Sequence, residues 1–170
     1  MHGTYSTSKD EELVYFILKQ YFDQVLTQHK TEEYPFACDF YIPSINTYLE
    51  LNCSWTHGDH PYNEANEDDR KIIEKWKEKN TSYYDNAIET WTKRDVLKRN
   101  TAKANNLNYV EIWNVADIVD FIEKHVSNIH PYLFVNKRHL LAEYTLICNY
   151  DLYGRNCPRM FNHNKIVKFF

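Results

Sequence analysis

Apolar residues recur with a helical period near the start of the chain. In "TSKDEELVYFILKQYFDQVLTQH" they fall at positions 13, 14, 17, 18, 21, 22, 25 and 26. Residues three and four apart share one face of a helix, and Ser8 with Glu11 or Glu12 forms a capping pattern before this run. The pattern predicts a helix over about 8–29.

The next segment has the pattern of two short strands. Residues 36–42 and 47–53 alternate apolar and polar side chains, and "PSIN" between them contains Pro43 and Asn46, which favour turns. Further along, the sequence predicts a charged helix over about 66–79, then "NTSYYDNA" as a loop, and another helix from near Trp91. A strand, "LNYVEIW", and an amphipathic helix, "NVADIVDFIEKHV", follow. This order predicts a mixed α/β (α+β) fold with a small sheet flanked by helices.

The predicted hairpin places two acids directly opposite each other. If the turn is centred between Ser44 and Ile45, paired residues have numbers that sum to 89, so Asp39 faces Glu50. Opposed residues have Cβ atoms about 4.5–5.5 Å apart, so two ionised carboxylates repel unless a cation or a shared proton lies between them. By the two-residue period, Asn52 lies on the same face as Glu50. The arrangement indicates a metal site; the alternative is an edge hairpin whose acids face solvent.

Composition is that of one folded domain outside the membrane. The chain has 170 residues, 43% of them hydrophobic, and no apolar run approaches the roughly 18 residues of a membrane span. The N-terminus lacks the basic and apolar regions of a signal peptide, and the four cysteines show no CxxC spacing. We therefore expect an unexported, cytoplasmic protein with reduced thiols and no membrane partner.

Charge is distributed unevenly along the chain. Residues 1–92 have a balance of −9 and residues 93–170 a balance of +5. Five Lys and Arg residues lie within 93–103 against one acid, Asp95, and the tail from 153 onward is basic and aromatic. An acidic half for metal and a basic half for phosphate are compatible with a nucleic-acid enzyme, although a solvated surface explains the same pattern.

Two segments together resemble a nuclease family. "CDFYIPSINTYLELNCSWTHG" and, some forty residues later, "WTKRDVLKRNTAKANNLNYVEIW" are similar to the PD-(D/E)XK nuclease superfamily, especially to very-short-patch repair endonucleases and phage-type homing endonucleases. The match covers about residues 8–113. The resemblance implies a restriction-endonuclease-like core over 1–125, with 126–170 as a helical, basic extension packed on the same domain.

The resemblance also implies a site. Asp39 and Glu50 would hold Mg²⁺, or Mn²⁺ in its place, with the backbone carbonyl of Leu51, and Glu12 would be an auxiliary acid. Asp95 and Lys98 fall on the helix motif of the family. The family has lysine two residues after its second acid, where this chain has Asn52; Lys98 or His57 would then supply the missing function. The catalytic candidates are Asp39, Glu50, Asn52, Lys98 and His57, and the DNA-binding candidates are Lys93, Arg94, Arg99, Lys103, Arg155 and Arg159.

These implications predict a Mg²⁺-dependent endodeoxyribonuclease, in the host cell if the protein is viral, which forms a homodimer if it cuts both strands. Two alternatives stay open. One is an inactive nucleic-acid-binding module of the same fold, with Asn52 as its supporting feature. The other is a protein-interaction domain whose acidic half binds a basic partner.

Overall fold

The first helix is shorter than its sequence pattern predicts. In the computed structural model, which describes residues 8–126, α1 spans Lys9–Tyr21. Its cap is the predicted one, because the Ser8 hydroxyl accepts a hydrogen bond from the Glu11 N–H at 3.1 Å. The predicted helix to about 29 is wrong beyond Tyr21, and Leu26–His29 form a strand, β1. Pairing with a neighbouring strand overrides the local helical period there.

Four strands form one mixed sheet in the order β1-β2-β3-β4. β2 spans Cys38–Ile42, β3 spans Thr47–Leu51 and β4 spans Asn108–Ile112. β2 is antiparallel to both β1 and β3, and β4 lies parallel to β3. The predicted mixed α/β class, with a small sheet flanked by helices, is confirmed.

The hairpin of β2 and β3 has the predicted register. Phe40 pairs with Leu49, Tyr41 with Tyr48 and Ile42 with Thr47, and each pair of numbers sums to 89. The turn is a single 3-10 turn over Pro43–Ile45, closed by Asn46 in the left-handed conformation at φ 45°. Asparagine tolerates that conformation better than most residues. This register places Asp39 and Glu50 across from each other.

A nearly continuous helical segment leads from α3 to α4. α2 spans Glu67–Glu78, close to its predicted range, and α3 spans Ser82–Glu89. Thr81 caps α3 by accepting a hydrogen bond from the Tyr84 N–H at 3.4 Å, so the predicted loop over these residues is wrong. A five-residue π-helical stretch, Thr90–Arg94, then joins α3 to α4 (Asp95–Ala104). Such stretches frequently mark functional sites.

The chain divides into two compact units, residues 1–118 and residues from 119 onward. The last described helix, α5, spans Asp117–His125 and crosses that division. The second unit is described only as far as Val126, so the predicted extension over 126–170, including Arg155 and Arg159, lies outside the described residues apart from Val126.

An aromatic cluster in the first unit borders the facing acids. Its buried members are Tyr34, Cys38, Tyr48 and Ala102 of α4. By the two-residue period of a strand, Tyr48 and Glu50 of β3 lie on the same sheet face. The candidate site is therefore built at the edge of a packed core. The partly buried residues that pack against this cluster are Phe36, Tyr41, Leu107 and Tyr109.

Candidate active site

Glu50 is a buried acid with a partner on each oxygen. Its exposed fraction is 1%. Oε1 accepts a hydrogen bond from the Tyr34 hydroxyl at 2.7 Å, and Oε2 accepts one from Lys98 Nζ at 2.7 Å. Burial, with the charge of Asp39 second, raises the pKa of Glu50 to about 7, against the opposing effects of Lys98 and Tyr34. Near neutral pH the carboxyl group of Glu50 is close to the midpoint of its ionisation.

Asp39 lies just beyond the paired residues of the hairpin, and its side chain contacts the backbone of β3. Its Oδ2 accepts a hydrogen bond from the Leu51 backbone N–H at 2.8 Å. Burial is the largest cause of the raised pKa of Glu50, and the charge of Asp39 is the second. The same two causes, in the same order, raise the pKa of Glu11 in the first turn of α1. The two facing acids therefore repel each other, as the predicted pairing requires, and a further positive charge between them would relieve that repulsion.

Lys98 is the cation that the structure brings to Glu50. It projects from α4, and 23% of its side chain is exposed. Burial would lower the pKa of Lys98, but the charge of Glu50 and the hydrogen bond to it outweigh that effect and raise the pKa. Of the two substitutes that the sequence suggested for the missing motif lysine, Lys98 is the one in contact with the second acid.

Asn52 and Arg99 meet at an acid that the sequence did not single out, Glu111 of β4. Asn52 is 3% exposed, and its Nδ2 donates to Glu111 Oε1 at 3.0 Å. Arg99 donates from Nε and Nη2 to the two oxygens of Glu111, both at 2.8 Å. Arg99, predicted to bind DNA, is thus engaged in a two-bond ion pair within the fold. Glu50 pairs with Glu111 in the parallel ladder, so the two acids lie on the same sheet face.

Two histidines of the loop after β3 are each held by a buried aspartate. His57 Nδ1 lies 2.7 Å from Asp95 Oδ2, and His60 Nε2 lies 2.9 Å from Asp69 Oδ1. Asp95, which the family resemblance placed in its helix motif, therefore contacts this loop through His57. The charge of Asp95 also contributes to the raised pKa of Lys98. The His57–Asp95 pair therefore interacts electrostatically with the Glu50–Lys98 pair, and α4 carries both Asp95 and Lys98.

The same loop is packed on Trp91 of the π-helical stretch. Trp91 is buried, and its Nε1 donates to the His60 backbone carbonyl at 2.7 Å. Gly58 adopts φ +69°, and a Cβ at this position would collide with the indole ring of Trp91. Only glycine satisfies both demands. The loop is therefore fixed against the helix that supplies Lys98.

The remaining predicted site residues are more peripheral. Glu12 is exposed, and its neighbour Glu11 interacts electrostatically with Asp39. Lys93, Arg94 and Lys103 are exposed, as a contact to a phosphate backbone requires. Arg155 and Arg159 belong to the part of the chain that the structure does not describe.

Within residues 8–126, no group of three or more His, Cys, Asp or Glu side chains is placed to hold a metal ion. Over the same residues, no helix has the length and apolar character needed to cross a bilayer. A scan against models of known protein families and searches of curated proteins and of solved structures find no match to this chain.

Proposed function

We propose that this protein is a Mg²⁺-dependent endonuclease that hydrolyses phosphodiester bonds in DNA. The observation that carries the proposal is the meeting of three charged groups: Asp39 and Glu50 face each other across the hairpin, and Lys98 Nζ lies 2.7 Å from Glu50. A restriction-endonuclease-like fold is part of the same proposal, and the small mixed sheet flanked by helices is compatible with it.

The donor atoms of this site suit Mg²⁺. This ion is commonly bound by one or two carboxylates together with substrate phosphate and several waters, rather than by a full set of protein ligands. Two facing carboxylates without a third acidic or histidine ligand, as found in residues 8–126, fit that pattern. The mutual repulsion of Asp39 and Glu50 is a further reason for a divalent cation to bind between them. Asp39 and Glu50 would hold the ion, and Leu51 lies beside them.

Within this proposal the side chains of the chain have separate tasks. Bound Mg²⁺ would supply positive charge at the phosphate and make its bound water more acidic. Lys98 would stabilise negative charge on the phosphoryl oxygens, because its ammonium group is already fixed by Glu50. His57, oriented by Asp95, would be the proton donor to the leaving oxygen. Asn52, a neutral amide whose Nδ2 donates to Glu111, would hold that acid and would supply no positive charge at the phosphate.

The proposal is tested with supercoiled plasmid in the presence of Mg²⁺, of Mn²⁺ or of EDTA. We expect the wild-type protein to cut with either metal and not with EDTA, and Glu50→Gln to lose the activity. Glu67→Gln is the matched control, because it removes the same charge from an exposed position on α2. If wild type and Glu50→Gln cut equally, Glu50 does not hold the metal. Nicked or linear product shows whether one strand or two are cut, and two would call for a homodimer.

A second candidate, an inactive DNA-binding module, is favoured by the engagement of Asn52 with Glu111. It predicts Mg²⁺-dependent binding of duplex DNA in a fluorescence anisotropy assay without any cutting. The protein-interaction alternative predicts neither metal binding nor salt-dependent DNA binding. A cytoplasmic location, in the host cell for a viral protein, belongs to the nuclease proposal, because that is where the substrate is encountered.

A further inference from the structure

Tyr34 is the second partner of Glu50 and has no assigned role. It lies between β1 and β2 and is completely buried. Its hydroxyl donates to Glu50 Oε1 at 2.7 Å. Because Lys98 donates to the other oxygen, each carboxylate oxygen of Glu50 has a hydrogen-bond donor. These two hydrogen bonds fix the plane of the carboxyl group. A buried carboxylate held in this way cannot rotate freely among its rotamers.

Tyr34 is itself fixed by its surroundings. Its backbone N–H donates to Thr31 Oγ1 at 3.0 Å, and its ring lies 5.1–5.2 Å from the rings of Phe36 and Tyr48. A packed aromatic cluster therefore holds the Tyr34 hydroxyl next to Glu50. Burial, and then the charge of Glu50, raise the pKa of Tyr34, so the hydroxyl keeps its proton and stays a donor.

We propose that Tyr34 is a positioning residue of the metal site, which orients the Glu50 carboxylate for Mg²⁺ through its hydroxyl hydrogen bond. The inference rests on the proposed function, because Glu50 is a metal ligand only within it. Hydrogen bonds to a ligating side chain fix its orientation, and their loss commonly weakens metal binding by about 10–100-fold. Tyr34 does not touch substrate, so its effect passes through Glu50.

The chain offers a closely matched pair of variants. Tyr34→Phe removes only the hydroxyl that reaches Glu50. Tyr48→Phe removes a hydroxyl from the same cluster, but that hydroxyl pairs with Thr31 Oγ1 at 3.1 Å. Both variants lose a hydrogen-bonding hydroxyl from the same packed cluster, and only Tyr34→Phe changes the contacts of Glu50.

The test measures the Mg²⁺ concentration that gives half-maximal nicking of plasmid, together with Mn²⁺ binding by titration calorimetry. Tyr34→Phe is expected to raise the half-saturating Mg²⁺ concentration about 10-fold and to weaken Mn²⁺ binding similarly, and Tyr48→Phe to leave both near wild type. Equal values for the two variants would overturn the role of Tyr34 while leaving the nuclease proposal standing. If wild type binds Mn²⁺ without cutting, and Tyr34→Phe weakens that binding, the role of Tyr34 holds and the nuclease proposal fails. Absence of both metal binding and cutting overturns both.

Discussion

The buried Glu50 should make the stability of the metal-free protein depend on pH. The pKa of Glu50 in the folded protein is about 7, whereas the unfolded chain releases this proton near the ordinary glutamate pKa of 4.5. Between these values the folded state binds more protons, so the free energy of unfolding falls as the pH rises through this window. From about pH 5 to about pH 8 the loss from this one group is about 2–3 kcal/mol, by proton linkage between these two pKa values.

Glu50→Gln isolates this contribution, because glutamine resembles the protonated acid and does not titrate. We expect the stability of the variant relative to wild type to rise by about 2–3 kcal/mol from about pH 5 to about pH 8. The assay is urea denaturation at several pH values in EDTA. Taking the difference between the two proteins cancels the titrating groups that do not interact with Glu50.

The control is Glu67→Gln, whose side chain is exposed and makes only a surface ion pair. Its difference from wild type should change far less over the same range. A difference between Glu50→Gln and wild type that stays constant with pH would mean that Glu50 ionises as easily in the folded protein as in the unfolded chain. The burial argument for the site would then be refuted.

Two further substitutions test how the loop and α4 are held. Gly58→Ala should lower the free energy of unfolding by about 2–4 kcal/mol in urea denaturation, because the added methyl group collides with Trp91 at a positive φ. Arg99→Lys should cost about 1–2 kcal/mol by the same measurement, since lysine cannot make both hydrogen bonds to Glu111. Arg99→Gln should leave the salt dependence of DNA binding in fluorescence anisotropy unchanged, because Arg99 is paired with Glu111, whereas Lys103→Gln should reduce its slope by about one; the reverse result would assign Arg99 to DNA.

The hairpin was predictable because its geometry is local. A short turn fixes which residues pair, so the position of Pro43 and Asn46 was enough to place Asp39 opposite Glu50. The capping of α1 by Ser8 was predictable for the same reason. In both cases, every residue that decides the structure lies within a few positions of the others.

The parts that the sequence did not predict depend on distant residues. Residues 26–29 continue the helical period of α1, and only their pairing with β2 makes them a strand. Tyr34 and Glu111 were missed because their partners lie far away in sequence. Tyr34 meets Glu50 across 16 positions, and Glu111 meets Asn52 across 59. A one-dimensional pattern does not indicate that β4 joins β3 in parallel, which is what places Glu111 beside Glu50.

The charges on this sheet face explain how Asn52 fits the site. Three acids, Asp39, Glu50 and Glu111, meet two cations that are consecutive on α4, with Lys98 on Glu50 and Arg99 on Glu111. A lysine in place of Asn52 would add a third cation beside Glu111, where Arg99 already makes two hydrogen bonds. When Glu50 is ionised, above about pH 7, the three acids exceed the two cations by one negative charge, and the neutral amide of Asn52 leaves that charge in place. That remaining charge is what would attract Mg²⁺ to the site, so the absence of the motif lysine is compatible with catalysis when α4 supplies the cation.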